Sequence, residues 1–125
     1  MLAAVDAVLD RYRDRLNSGS HPVEVELAID QVTVVNMAEA TATVRCLLGP
    51  VRRGARFDRI HDSAGAIDLE LTQILAYHRS VEELDPVHTA LVTLRGTGVQ
   101  LLTSATPRSR WQAIRGSNPL PIHRY

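Results

Sequence analysis

The chain has 125 residues, an apolar fraction of 45%, a charged fraction of 22% and a formal net charge of zero. That length suits one domain with a core of its own, and that balance excludes an intrinsically disordered chain. No apolar run reaches the roughly 18 residues that cross a bilayer, and the N-terminus lacks the basic-then-apolar order of a secretion signal, so the expectation is a soluble cytoplasmic protein without membrane contact.

All 14 basic residues are arginine. Every cationic contact is therefore a planar fork suited to carboxylates, phosphates and stacking. The charges are unevenly placed: residues 1–85 hold all 14 acids and nine arginines, a balance of −5, and residues 86–125 hold five arginines and no acid, a balance of +5. Either the two segments pair in the fold, or the basic tail is kept for an anionic partner.

In chain order, "MLAAVDAVLDRYRDRLNSGS" spaces Leu2, Val5, Leu9, Tyr12 and Leu16 as one stripe, which predicts a helix over residues 1–17. The stripe is short for an autonomous coiled coil; packing on the domain is the simpler role, and dimerisation is the alternative. After Pro22 the period changes to two. Val23, Val25, Leu27 and Ile29 alternate with Glu24, Glu26 and Asp30, a half-buried strand. Val32 and Val34 fall on the opposite parity, which implies a bulge or bend. "ATATVRCLLG" reads as a second strand, Arg56 to Ile60 as a third and "IDLELTQILAY" as a fourth. "SVEELDP" reads as a turn stopped by Pro86, and "HTALVTLRG" and "VQLLT" complete the set. Strands following one another without intervening helices argue for a mainly β domain, a small closed antiparallel barrel of about six strands. The expected layout is a helix at 1–17, a barrel at 23–103 and an irregular basic tail at 104–125, where alternation stops and three prolines enter.

The ordered strands resemble domain II of the translational GTPases, the β-barrel that follows the G domain in elongation factors of the Tu type. The resemblance runs from about Glu24 to Leu102. "ELAIDQVTVVNMAEATATVRCLLGPVRRGARF" is similar to that family's strand, variable hairpin and glycine corner, and "LELTQILAYHRSVEELDPVHTALVTLRGTG" to its later strand, polar turn and "V-x-L-x-L-R-G" strand. It implies that Gly49 and Gly54 turn the chain tightly at positive φ. The chain departs from the family at Asp85-Pro86, where a glycine is usual. A G-x-x-x-x-G-K-[ST] loop is missing, and without lysine there is none to find. The expectation is a stand-alone barrel that neither binds nor hydrolyses GTP.

Chemical motifs are sparse. Cys46 is one thiol in an apolar run, so a buried structural role is expected and a disulfide or multi-thiolate metal site is excluded. His78 and His88 flank the "RSVEELDPV" turn and form the best catalytic candidate, against surface histidines as the plainer reading; neither metal nor cofactor is expected. Arg52, Arg53, Arg56 and Arg59 cluster at one hairpin and Arg95 ends a late strand. Since the family's barrel surface near such loops meets RNA or a neighbouring domain, the resemblance implies a phosphate-binding rim; mutual ion pairs are the plainer alternative. Trp111, between Arg108 and Arg110 on one side and Arg115 on the other, is either a packing anchor or a platform for a base. The functional expectation is a non-enzymatic binding or adaptor domain that engages a protein, itself included as a homodimer, or RNA. A small enzyme at His78 and His88 is the competing class.

Overall fold

The computed structural model describes residues 24–61, 63 and 65–120. Nine strands follow in order: β1 (Glu24–Asn36), β2 (Glu39–Leu48), β3 (Val51–Arg52), β4 (Arg56–Ile60), β5 (Ala66–Ala76), β6 (Arg79–Val81), β7 (Glu83–Leu84), β8 (Thr89–Thr97) and β9 (Gln112–Ser117). Six of them form a ring, β4-β9-β1-β2-β8-β5, which β5 closes by pairing with β4; every pairing is antiparallel. Closure removes the free sheet edges that an open sheet of this size would leave. β6 continues the ladder on β5 beyond the end of β4, and β3 pairs with β7 as a short separate ladder.

The two-residue rhythm sets which side chains enter the core. Val25, Leu27 and Ile29 of β1, Ala40, Ala42, Val44 and Cys46 of β2, and Val92 and Leu94 of β8 are all buried, whereas Thr43, Arg45 and Leu91 face outward. Phe57, Leu69, Leu71, Ile74 and Ile114 fill the centre, each contributing about 1.5–3 kcal/mol of transfer free energy. The phase slip after Ile29 is a register shift against β2 between Ile29 and Gln31. A second shift between Leu71 and Gln73 turns Ile74 inward, so β5 keeps its apolar face on the core beyond the reach of strict alternation.

The glycine corner between β2 and β4 divides its labour. Gly54 has φ +96°, and its N–H donates to the Leu71 carbonyl at 2.7 Å, a geometry that a side chain would strain. Gly49 is needed for another reason: an added Cβ would sit 2.6 Å from the Cys46 Sγ. Its expected positive φ is not found. Asn118 locks the same corner from the C-terminal side, accepting from the Arg52 N–H at 2.8 Å and donating to the Pro50 carbonyl at 2.8 Å.

Several sequence expectations need correction. The tail is not irregular throughout, because β9 lies within it and is an integral stave between β1 and β4. "VQLLT" is not the sixth strand; Val99–Leu101 is a 3-10 turn that buries Val99 under the barrel. "SVEELDP" is not a simple turn, since it contributes β6 and β7. The helix expected over 1–17 lies outside the described residues and is not borne out; among the described residues the 3-10 turn is the only helical backbone.

Candidate functional site

The arginines separate into two groups by their partners. Arg52 pairs with Glu83 at 3.8 Å and Arg53 with Glu82 at 3.1 Å, through the β3–β7 ladder that brings the two segments together. Arg56 reaches Asp68 at 3.3 Å and Glu70 at 3.2 Å on the neighbouring β5, and Arg95 reaches Glu39 at 3.6 Å across the β2–β8 register. Arg59 meets Glu24 and Asp58, and Arg115 donates from Nε to Glu26 at 3.0 Å. The hairpin cluster is thus a set of exposed ion pairs, each worth little in stability, with its positive charge locally balanced.

Arg45, Arg79, Arg108 and Arg110 have no carboxylate partner among the described residues. Arg108 and Arg110 approach β9 in the connection that ends at Trp111, and the Arg45 guanidinium lies 5.5 Å from the centre of the Trp111 ring. This is a cation–π contact, and it orients the indole against the outer wall of β2.

Beside that contact the outer wall is concave. The floor runs across three strands, where the β2–β8 register sets Thr43 opposite Leu91 and the β8–β5 register sets Leu91 opposite Leu75. Trp111 and Asp30 stand on one side and the Tyr77-His78 turn on the other, enclosing about 430 Å³. Asp30 is placed by the β1 register shift, and its carbonyl accepts from the Ala105 N–H at 2.6 Å. Tyr77 and His78 have φ of 53° and 66°, the paired positive values of a tight two-residue hairpin turn. Leu91 is 41% exposed and Trp111 40%, large apolar surface on the outside of a barrel.

Of the expected residues, Trp111 lines the concavity, and Arg108 and Arg110 flank it in sequence; Arg52, Arg53, Arg56 and Arg95 are drawn into ion pairs. His78 lines the concavity and His88 does not, so the expected histidine pair is not brought together there. Arg45, Leu91 and Asp30 were missed. The available signal was parity: Leu91 is a large apolar residue on the outward phase of its strand. A second concavity, about 630 Å³, lies between Val34, Asn36 and Met37 at the β1–β2 tip and the Gly96–Gln100 segment, without a charged side chain in its lining.

Cys46 is buried under the β2 wall, and burial pushes its thiol above the usual thiol range, with the Asp85 carboxylate adding to the rise against backbone hydrogen bonds. It is an inert core thiol. Among the described residues no group of three His, Cys, Asp or Glu side chains is placed to hold a metal ion, and no helix is long and apolar enough to cross a membrane.

No family model matches the chain, and no curated protein matches it by sequence. By structure, the chain is similar to translation elongation factor SelB from Methanococcus maripaludis. The apo form and the complex with the GTP analogue GppNHp each match with a TM-score of 0.59, at 14% identity, over 90% of this chain and 24% of that chain. The chain therefore has the fold of a translation-factor β-barrel and spans about a quarter of the SelB chain that it matches.

Proposed function

We propose that the chain is a non-enzymatic binding domain, a translation-factor-like barrel whose outer wall engages a partner, protein before RNA, in the cytoplasm. One observation carries this reading: an apolar concavity opens on the outer wall beside Arg45, which has no carboxylate partner among the described residues, while Arg52, Arg53 and Arg56 are paired with carboxylates. Uncompensated charge beside exposed apolar surface is the composition of an interface rather than of a solvated wall. A protein is favoured over RNA because Asp30 stands in the wall of the concavity, where a phosphate would be repelled. The fold alone does not choose a function, so the reading rests on the site.

The test is crosslinking of the tagged chain in its native host, with retained proteins identified by mass spectrometry and retained RNA by sequencing. A partner recovered in near-stoichiometric amount supports the reading. Recovery of the chain alone, at physiological salt and with crosslinking shown to be efficient, refutes it. Light scattering of the purified chain shows whether that partner is a second copy.

A further inference from the structure

We infer that Met37 is a reversible oxidation site: hydrogen peroxide converts its thioether to the sulfoxide, which places a polar oxygen in the uncharged hollow at the β1–β2 tip while the barrel keeps its fold. The inference stands apart from the outer-wall concavity and from the binding-domain reading.

Access decides where an oxidant acts. β9 pairs with β1 only as far as Ile29, so Asp30 to Asn36 carry the hairpin past that neighbour. Met37 stands in the two-residue turn between Asn36 and Glu39 and is 92% exposed. A thioether reacts without ionising, so at neutral pH its exposure sets its rate. The sulfur lone pair attacks one peroxide oxygen, the O–O bond breaks and an S–O bond forms. A proton passes to the departing oxygen, which leaves as water. The sulfur gives up two electrons and the peroxide takes them. A sulfoxide reductase must enclose the side chain to reverse the step, and a projecting turn offers it.

The other described sulfur is withheld. An exposed thiolate would compete for the same oxidant, but Cys46 is 1% exposed, and burial holds its thiol protonated to higher pH than usual. The order of reactivity between the two sulfurs is therefore set by the fold.

Oxidation of Met37 also spares the structure around it. The turn is pinned by the Ala38 N–H, which donates to Asn36 Oδ1 at 2.8 Å, and by the Ala38 carbonyl, which accepts from the Gly96 N–H at 2.8 Å; neither bond uses the Met37 side chain. What changes is the hollow that Met37 lines with Val34, Asn36 and the Gly96–Gln100 segment. A sulfoxide there is a strong acceptor beside the side-chain amides of Asn36 and Gln100, where the thioether was apolar. A buried methionine would lose core packing on oxidation, whereas this one exchanges the chemistry of a surface.

The full chain is treated with dilute hydrogen peroxide, in buffer and in urea, and mapped by mass spectrometry. Cleavage after arginine puts Met1, Met37 and Cys46 on three separate peptides. Met37 should gain one oxygen in buffer at a rate within about threefold of its rate in urea, while Cys46 should oxidise at least about 100-fold more slowly in buffer than in urea. A methionine sulfoxide reductase with a thiol reductant should return the native chain to its starting mass. Tm should be unchanged by oxidation, and Met37→Leu should leave Tm as it is while abolishing oxygen uptake on that peptide. Amide chemical shifts should move on oxidation at Val34 to Ala38 and at Gly96 to Gln100, and at neither in the Met37→Leu chain. Protection of Met37 by more than about tenfold in buffer, oxidation of native Cys46 as fast as Met37, or failure of the reductase overturns the site. A fall in Tm, or shifts that do not reach Gly96 to Gln100, overturns the change of surface without loss of fold.

Discussion

Replacing Val87 by glycine should make the protein more stable, against the usual effect of glycine in a β-rich chain. Asp85-Pro86-Val87-His88 is a turn closed by the His88 N–H on the Asp85 carbonyl at 3.2 Å, with Val87 at φ +74°. Positive φ at the third turn position normally selects glycine, and a β-branched residue there is strained by about 1–2 kcal/mol. Val87 is 73% exposed, so removing its side chain sacrifices little buried surface. Its N–H still donates to the Cys46 carbonyl at 2.8 Å after the change. Glycine's greater freedom in the unfolded chain takes back about 0.5–1 kcal/mol, which leaves a gain of about 0.5–1 kcal/mol. For a chain of this length that is a rise in Tm of about 2–5 °C, measurable by calorimetry with urea titration as a second probe. Val87→Ala should fall between wild type and Val87→Gly, since it loses the branch but keeps Cβ. A Val87→Gly protein less stable than wild type, or no more stable than Val87→Ala, refutes the account of strain.

Four further outcomes follow from the same geometry. Asn118→Ala strands the Arg52 N–H and the Pro50 carbonyl in the hairpin corner and should lower the urea midpoint by the equivalent of about 2–3 kcal/mol, without a change in m. The Cys46 thiol ionises at higher pH folded than unfolded, so the folded state holds its proton longer; stability is complete below the unfolded value of about 8.5 and declines as pH rises through it, a slope that Cys46→Ala should lack. A double-mutant cycle on the half-buried Arg115–Glu26 pair, 3.0 Å long, should give a coupling of about 1 kcal/mol, against less than about 0.5 kcal/mol for the exposed Arg52–Glu83 pair at 3.8 Å. Gln112 accepts from the Thr103 N–H and donates to the Leu101 carbonyl, pinning the connection that delivers Trp111, so Gln112→Ala should lower the fluorescence anisotropy of Trp111 while near-native stability is kept; an unchanged anisotropy would show that the Arg45 contact suffices.

The long staves were legible because each carries several apolar residues on one phase. β1, β2, β5 and β8 all do, and the slip at Asp30 showed as a break in that phase. β9 was hidden: in "QAIRGS" Ile114 is the one large apolar residue, and Gly116 faces β4 so closely that a Cβ would collide with the Arg56 carbonyl. A stave whose backbone must approach its neighbour cannot announce itself by side chains. β6 and β7 were hidden by brevity, since two or three residues set no period. The concavity was invisible for a different reason. Its floor aligns Thr43, Leu91 and Leu75 by lateral register, which depends on partners far apart in the chain.

The charge asymmetry of the sequence finds a partial resolution in the same architecture. Arg95 and Arg115, from the basic end of the chain, return to Glu39 and Glu26 on the first hairpin, so pairing between the two segments accounts for part of the excess. Arg108 and Arg110 do not take part, because they belong to the connection rather than to a stave. That connection is held against β1 through Ser104 and Ala105 before β9 enters the ring, and so it passes along the wall where Asp30 and Thr43 lie. The connection that leads into the closing strand therefore also brings Trp111 to the apolar hollow of the β2–β8–β5 wall. Closure of the barrel and construction of the hollow are a single structural event, which is why a barrel stave and one wall of the hollow occupy adjoining residues of what reads, by composition, as a tail.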